Sequence, residues 1–323
     1  MSRSRQQGMA LLAVLLLVAV MTVLIVAMLD DVRFGQRRTG NSAAIAQAQR
    51  YALGSEDFAR ASLQPWLQAA VGDGAQWNGR QVAFPVEQGR VEVRVDDGSR
   101  CFNLNSVVAG AVEQWQRHDA GVASYRALLA ALGFDPAQAQ ALADTLVDWI
   151  DTDPVRSPAG AEDIAYAGAD PGYRTAGALL AEPSELRALH GYTSQVYARL
   201  RPHVCALPVA TVAPVNVNLL APGQGALVSM LSLGAVSAAQ GERIIAARPA
   251  QGWADAAAFW AQPALAGTVP GADAEAQVVV RSRYFDLRSE VELSGVQVVM
   301  SSTLALDPSN RLRVVARRWT LDE

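Results

Sequence analysis

The chain changes its hydrophobic rhythm three times. Met9–Leu29 is an unbroken apolar run with no charge and one hydroxyl, Thr22. At ~1.5 Å rise per residue a helix of that length crosses the ~30 Å hydrocarbon layer of a bilayer. Helix formers continue beyond Asp30, through Ala43–Gln49 and Tyr51–Leu67, with Gly35, Gly40 and Gly54 as soft points and Pro65 near the end. The pattern then turns to period two. Val82, Phe84 and Val86 alternate with other side chains, Glu87–Arg90 reads as a turn, and Val91, Val93 and Val95 alternate with Arg90, Glu92, Arg94 and Asp96. This predicts an antiparallel hairpin with one wet face. Residues 106–265 lose the alternation and become rich in alanine and leucine, predicting helices at Ala127–Ala131, Asp135–Ile150, Pro183–His190 and Ser194–Arg201, with Ser184 and Ser194 as entry caps. Two more are predicted at Gly225–Leu233 and Ser237–Ala247. Beyond Val278 strands return: Phe285, Leu287, Val291 and Leu293 share one parity, Val296–Leu306 forms another strand, Asp307–Asn310 a turn, and Leu312 and Val314 resume the alternation.

These elements predict an α+β fold: a long N-terminal transmembrane helix packed on an antiparallel sheet, interrupted by a large all-α insertion. Strands on the two flanks of the insertion must pair with each other, because an isolated two-stranded ribbon is marginal. Leu128–Ala143 and Leu227–Ile245 each read as helix, glycine-centred turn, helix, which points to a duplicated unit. The divisions are 1–8, a hydrophilic leader; 9–29, the transmembrane part; 30–105, the first part of the α/β domain; 106–213 and 214–276, two helical insertion units; and 277–323, the C-terminal β part.

Charge orients the chain. Arg3 and Arg5 precede the apolar run and Asp30 and Asp31 follow it, which places the amino terminus in the cytoplasm and the rest outside. A net charge of −4, with all 27 basic residues arginine, offers no concentrated basic face for nucleic acid. Cys101 and Cys205 then lie in an oxidising compartment, where one disulfide is favoured over two buried thiols. Such a bridge would tie the neck of the insertion.

The chemistry is concentrated in one run. Asp148, Asp151, Asp153, Glu162 and Asp163 place five carboxylates within sixteen residues, and Pro154, Pro158 and Gly160 make the intervening segment a loop. Carboxylates so crowded raise one another's pKa unless a hard cation joins them, and Ca²⁺, with six to eight oxygen ligands in loose geometry, suits the run better than Mg²⁺. The spacing is not that of an EF-hand, and a solvated acidic loop remains the alternative. His118, His190 and His203 are scattered without zinc spacing, Gly223-x-Gly225 lacks a third glycine, and no Gly-x-Ser-x-Gly elbow occurs, so nothing argues for an enzyme. The turns Gly133-Phe134-Asp135 and Gly234-Ala235-Val236 lack the second glycine of DNA-binding helix-hairpin-helix units. A membrane-tethered DNA receptor of that type is the rival reading.

The junction Gly8–Met9, with a basic leader before an apolar helix, resembles a type IV prepilin signal. With the Asp148-Trp-Ile-Asp-Thr-Asp…Gly160-Ala-Glu-Asp163 run, the duplicated insertion, Pro183–Gly191, Tyr197–Pro202 and Val215–Asn218, the whole chain is similar to the large minor pseudopilins of type II secretion, the general secretion pathway protein K family. That resemblance implies a pilin-like domain carrying SAM-like helix-hairpin-helix units, cleavage by prepilin peptidase after Gly8 and N-methylation of Met9. It implies calcium at Asp151, Asp153, Glu162 and Asp163, with Asp148 as a further candidate. It implies a single-pass protein of the bacterial inner membrane, with a periplasmic domain, that caps and nucleates the pseudopilus and helps export folded proteins. Its implied partners are the other minor pseudopilins, the major pseudopilin, the inner-membrane assembly platform and membrane lipid, then secreted substrates and the outer-membrane secretin. Position five of the mature chain, where pilins carry glutamate, is Ala13, which fits a subunit with no neighbour above it.

Overall fold

A computed structural model describes residues 3–68, 77–268 and 272–319. Helix α1, Arg3–Gln68, runs 66 residues without a break, about 100 Å at the standard rise. Its glycines do not interrupt it: a Cβ built at Gly35, Gly40 or Gly54 meets nothing within 4 Å, so they cost propensity and no packing. The helix also passes Pro65, which is exposed in its last turn and sacrifices one backbone bond near an end that frays anyway.

The two halves of α1 meet different surroundings. Leu11–Leu29 is exposed throughout, and this stretch makes the helix long and apolar enough to cross a membrane. Further on, Ala48, Ala52, Ser55, Glu56, Ala59 and Leu63 are buried at intervals of three and four, a stripe of mostly small side chains that lets the helix lie close on a sheet.

That sheet is five-stranded and antiparallel, in the order β1-β2-β9-β10-β11. Its strands are β1 (Arg80–Val86), β2 (Gly89–Asp97), β9 (Tyr284–Leu293), β10 (Val296–Leu306) and β11 (Leu312–Trp319). The flanks of the insertion do pair: Val91 faces Val291 and Val95 faces Leu287 across β2 and β9. Val91, Val93, Val95, Phe285, Leu287, Val291, Met300 and Leu304 form one core with α1. A bulge between Thr303 and Leu304 shifts the β10–β11 register. Beyond it Ser302 faces Arg317, and both reach the buried Glu56 of α1: Ser302 Oγ donates to Oε2 at 2.6 Å, and Arg317 donates through Nη2 to Oε1 at 2.7 Å and through Nε to Oε2 at 3.0 Å. Burial pushes the Glu56 carboxyl up, but these donors outweigh it and hold the group below its ordinary range.

Between β2 and β9 the chain builds a second core, running from Phe102 to Val278. Its helices are α2 (Asp119–Ala131), α3 (Pro136–Ile150), α4 (Asp163–Tyr166), α5 (Ser194–Leu200), α6 (Gly225–Leu231), α7 (Ala238–Ala246), α8 (Ala256–Trp260) and α9 (Ala272–Gln277). Short strands stitch it: β3 (Phe102–Asn103) pairs with β6 (Val204–Cys205), β4 (Val108–Ala111) with β5 (Gln114–Arg117), and β7 (Val215–Asn216) with β8 (Val278–Val279). The β4–β5 hairpin was not expected from the sequence, since only Val108 and Trp115 in it are buried and no alternation is legible. Helix α2 begins eight residues before the expected Ala127, and Pro183–Ala188 is 3-10 rather than α. Two caps also move: Thr193 rather than Ser194 accepts from Val196 N, and Glu182 with Glu185, not Ser184, closes the box before the 3-10 turn. In the two similar units, α2–α3 and α6–α7, Gly133 and Gly234 both take positive φ at 84°, and Asp135 and Ser237 cap the second helices. Helices α6 and α7 cross so closely at Gly225 and Gly241 that a Cβ on either would strike the other's backbone.

The neck is a hydrogen-bonded knot on Asp97, the last residue of β2. Its Oδ1 accepts from Ser99 N at 2.5 Å, while Oδ2 accepts from Asn216 Nδ2 at 3.0 Å and Ser282 Oγ at 2.6 Å. Chain leaving the sheet, chain midway through the insertion and chain returning are thus tied to one carboxylate. The Cys101–Cys205 disulfide closes the next layer, joining residues 104 apart. The insertion emerges at the end of the sheet next to the C-terminus of α1, because Leu306 N donates to Arg283 O and Gln64 Nε2 donates to Asn310 O.

Two measurements check the neck. Replacing both cysteines by serine is expected to lower stability by about 4–5 kcal/mol on the chain-entropy estimate for so long a loop, read by denaturant unfolding of the full chain in detergent; an unchanged midpoint would show that the bridge constrains nothing. Burial, against the donors named above, raises the Asp97 carboxyl from 3.8 to about 6. Protonation of Asp97 therefore favours the fold most below about pH 4, an advantage of roughly 3 kcal/mol that is lost as pH rises through about 6 and is separate from its three hydrogen bonds. Stability curves of the wild type and Asp97→Asn should diverge over that interval, and parallel curves would contradict the assignment.

Candidate metal centre

The acidic run is organised by α3 and the loop that follows it. Asp135 caps α3 by accepting from Gln138 N, Pro136 occupies its first turn, and Leu142, Ala143, Leu146, Val147 and Ile150 are buried. Two carboxylates share the buried side, Asp144 and Asp148, one turn apart and both fully buried. Past the C-cap Asp151 the loop folds back over this helix. Ser157 N donates to both oxygens of Asp148, at 3.0 and 3.2 Å, and Ala159 N donates to Asp144 Oδ2 at 3.2 Å. The loop passes so near that a Cβ at Gly160 would collide with the Asp148 carboxylate and crowd the Asp144 backbone, so any larger residue would have to displace Asp148.

Asp144 is satisfied on its other side by Arg117 Nη1 at 2.9 Å and Gln140 Nε2 at 2.7 Å. Neither Asp144 nor Arg117 was singled out from the sequence. The available signal was the i, i+4 spacing of Asp144 and Asp148 on an otherwise apolar helix face.

The loop leaves two oxygens without partners. Asp151 Oδ1 and Glu162 Oε1 are both buried and accept no hydrogen bond. Burial, then the neighbouring carboxylates of Asp153, Asp148 and Glu162, push the Asp151 carboxyl up to about 7. Glu162 is raised by burial and by Asp148, and Asp148 by burial against the Ser157 donation. Asp148, Asp151, Asp153 and Glu162 therefore act on one another as a group. Asp153 is exposed and accepts from Val155 N at 2.8 Å. Asp163 stands apart: its Oδ1 accepts from Thr175 N at 3.0 Å and Thr175 Oγ1 at 2.9 Å, which hold its carboxyl below the ordinary range. Trp149, with Tyr166 5.3 Å and Tyr173 6.2 Å away, forms an aromatic wall beside the acids.

Among the described residues no three Asp, Glu, His or Cys side chains are already gathered around a common metal position. What the loop presents is a pair of orphaned carboxylate oxygens flanked by two more carboxylates. Hard, all-oxygen donors with unrelieved charge fit a calcium-like cation. The three histidines take no part in this arrangement. In the paired helical units, Gly133 N, Phe134 N and Gly234 N donate to Ala130 O, Leu129 O and Ser229 O. These turn amides are thus engaged inside the hairpins.

Comparison with known proteins agrees with this architecture. Family models for type II secretion system (T2SS) protein K match residues 100–209 and 215–281. Type II secretion system protein K of Aeromonas hydrophila is 35% identical over 97% of this chain and 97% of its own length. The protein K of Klebsiella pneumoniae is 34% identical over 99% of both. A crystal structure of the GspK-GspI-GspJ complex from the enterotoxigenic Escherichia coli type 2 secretion system contains a chain that superposes with a TM-score of 0.74 at 27% identity, covering 88% of this chain and 100% of that one. A long apolar helix on a split antiparallel sheet, a bridged helical insertion and an acidic loop thus coincide with full-length matches, and the chain belongs to the type II secretion system protein K family.

Proposed function

We propose that this protein is the minor pseudopilin that caps the tip of the type II secretion pseudopilus, nucleates the fibre in the inner membrane and helps export folded proteins across the outer membrane. The observation that carries this reading is where the insertion emerges. Arg283, Leu306, Asn310 and Gln64 join the neck to the end of α1 farthest from its apolar segment. A helical mass at that end leaves the membrane-proximal part of α1 free to pack among other subunits. It also obstructs a further subunit above, as a terminal cap must. In the matched crystal structure the protein K chain is complexed with GspI and GspJ, and the corresponding minor pseudopilins are the proposed partners here.

The finer steps follow the same reading. Gly8–Met9 is the proposed prepilin peptidase site, with methylation of the new amino terminus, and the helix runs through both residues. The chain would then sit once across the inner membrane with a periplasmic domain. Calcium is proposed at Asp151 and Glu162, whose buried oxygens are unpaired, with Asp148 and Asp153 completing the acidic shell. Asp163 is the least available of the five, since Oδ1 is held by Thr175 and Oδ2 lies 3.8 Å from Arg174 Nε. Bound there, the ion would supply positive charge to a loop whose carboxylates otherwise repel. The residues' own part is to hold that loop against α3 through Ser157, Ala159 and Gly160.

Immunogold labelling of sheared pseudopili should mark fibre ends; label along the shaft would overturn the cap. Calcium at ~100 times its dissociation constant should stabilise the wild type by ~2.7 kcal/mol and leave Asp151→Asn/Glu162→Gln unaffected. A variant that still responds fully would move the ion elsewhere.

A further inference from the structure

We propose that the cleft between the sheet and the helical insertion binds an extended polypeptide segment that carries carboxylates. This goes beyond the tip reading and does not depend on it. The cleft has a volume of about 850 Å³, within the ~300–1,000 Å³ range of ligand sites. It lies beside the Asp97 knot, whose Asn216 and Ser282 line it together with Arg100, Arg248, Arg281 and Arg283.

Its charge is opposite to that of the chain. The whole protein carries −4, yet four arginines, Arg100, Arg248, Arg281 and Arg283, line the cleft against one acid, Asp255. Asp255 is already engaged, since its Oδ1 caps α8 by accepting from Ala258 N at 2.7 Å. Arg100 pairs with Asp96 at 3.7 Å. The other three have no carboxylate partner among the described residues. Arg281 and Arg283 are exposed, with no ion pair or side-chain hydrogen bond there. Arg248 is half-buried, and its Nη1 donates to Leu220 O at 2.9 Å and Val217 O at 3.5 Å, which leaves the rest of the guanidinium available. Burial without a counter-charge lowers its pKa.

A partly desolvated guanidinium without an anion is costly, and a carboxylate satisfies its planar fork in two places. With Arg248, the exposed Arg281 and Arg283 make three guanidiniums free of carboxylate partners in one cleft, and they suit several carboxylates better than a single ion. The partly exposed Leu67, Leu219 and Val280 and the exposed Pro222 and Pro249 offer apolar surface for residues between the acids, which a bare inorganic anion could not use.

The test uses the full chain in non-ionic detergent micelles and a short fluorescein-labelled peptide alternating glutamate with leucine. Anisotropy should show saturable binding, weakened about tenfold or more in Arg281→Gln/Arg283→Gln and by replacing each glutamate of the peptide with glutamine. Both arginines are exposed, so the variant should keep the wild-type unfolding midpoint, which is measured alongside. Equal affinity for the glutamine peptide, no loss in the folded variant, or displacement by an equal concentration of inorganic sulfate would each overturn the proposal.

Discussion

One buried carboxylate holds the two halves of this molecule together. Asp97 ends β2 and gathers Ser99, Asn216 and Ser282, drawn from the start, the middle and the end of the insertion. Without such a knot, a helical unit inserted between paired strands would hang on two unconnected backbone crossings. Its donors, the neighbouring disulfide and the β2–β9 ladder act at successive levels of the same neck, so the sheet can close across the insertion as if the strands were consecutive.

Helix α1 meets a different constraint, because its two halves have opposite surroundings within the structure. Leu11–Leu29 is exposed and uncharged throughout, a stretch long and apolar enough to cross a membrane. In the other half the helix approaches the sheet through alanines and carries one buried charge, Glu56. That charge is tolerable because Arg317 and Ser302 meet it from two adjacent strands. The bulge in β10–β11 sets the register that brings those two residues opposite each other.

The acidic loop reverses this economy. Asp144 and Asp148 are neutralised or hydrogen-bonded within the fold, whereas Asp151 and Glu162 keep buried oxygens with nothing to accept. Arg117 serves Asp144 and reaches none of the loop's acids by a hydrogen bond. The arginine-lined cleft beside the neck has the opposite character, with Arg248, Arg281 and Arg283 free of carboxylate partners among the described residues.

The sequence by itself determined the apolar span, the hairpin of β1 and β2, the strands after Val278 and the helices at Asp135–Ile150 and Ser237–Ala247, because periodicity and caps are local properties. It also isolated the crowded carboxylates, since crowding is visible along the chain. Only the tertiary structure decided which of them are spare. Asp163 turns to Thr175, twelve residues on, and Asp144 is matched by Arg117, 27 residues before it, so neither partnership has a sequence signature. The β4–β5 hairpin, the 3-10 turn at Pro183–Ala188 and the knot on Asp97 depend likewise on contacts between distant residues, and hydrophobic spacing carries no record of them.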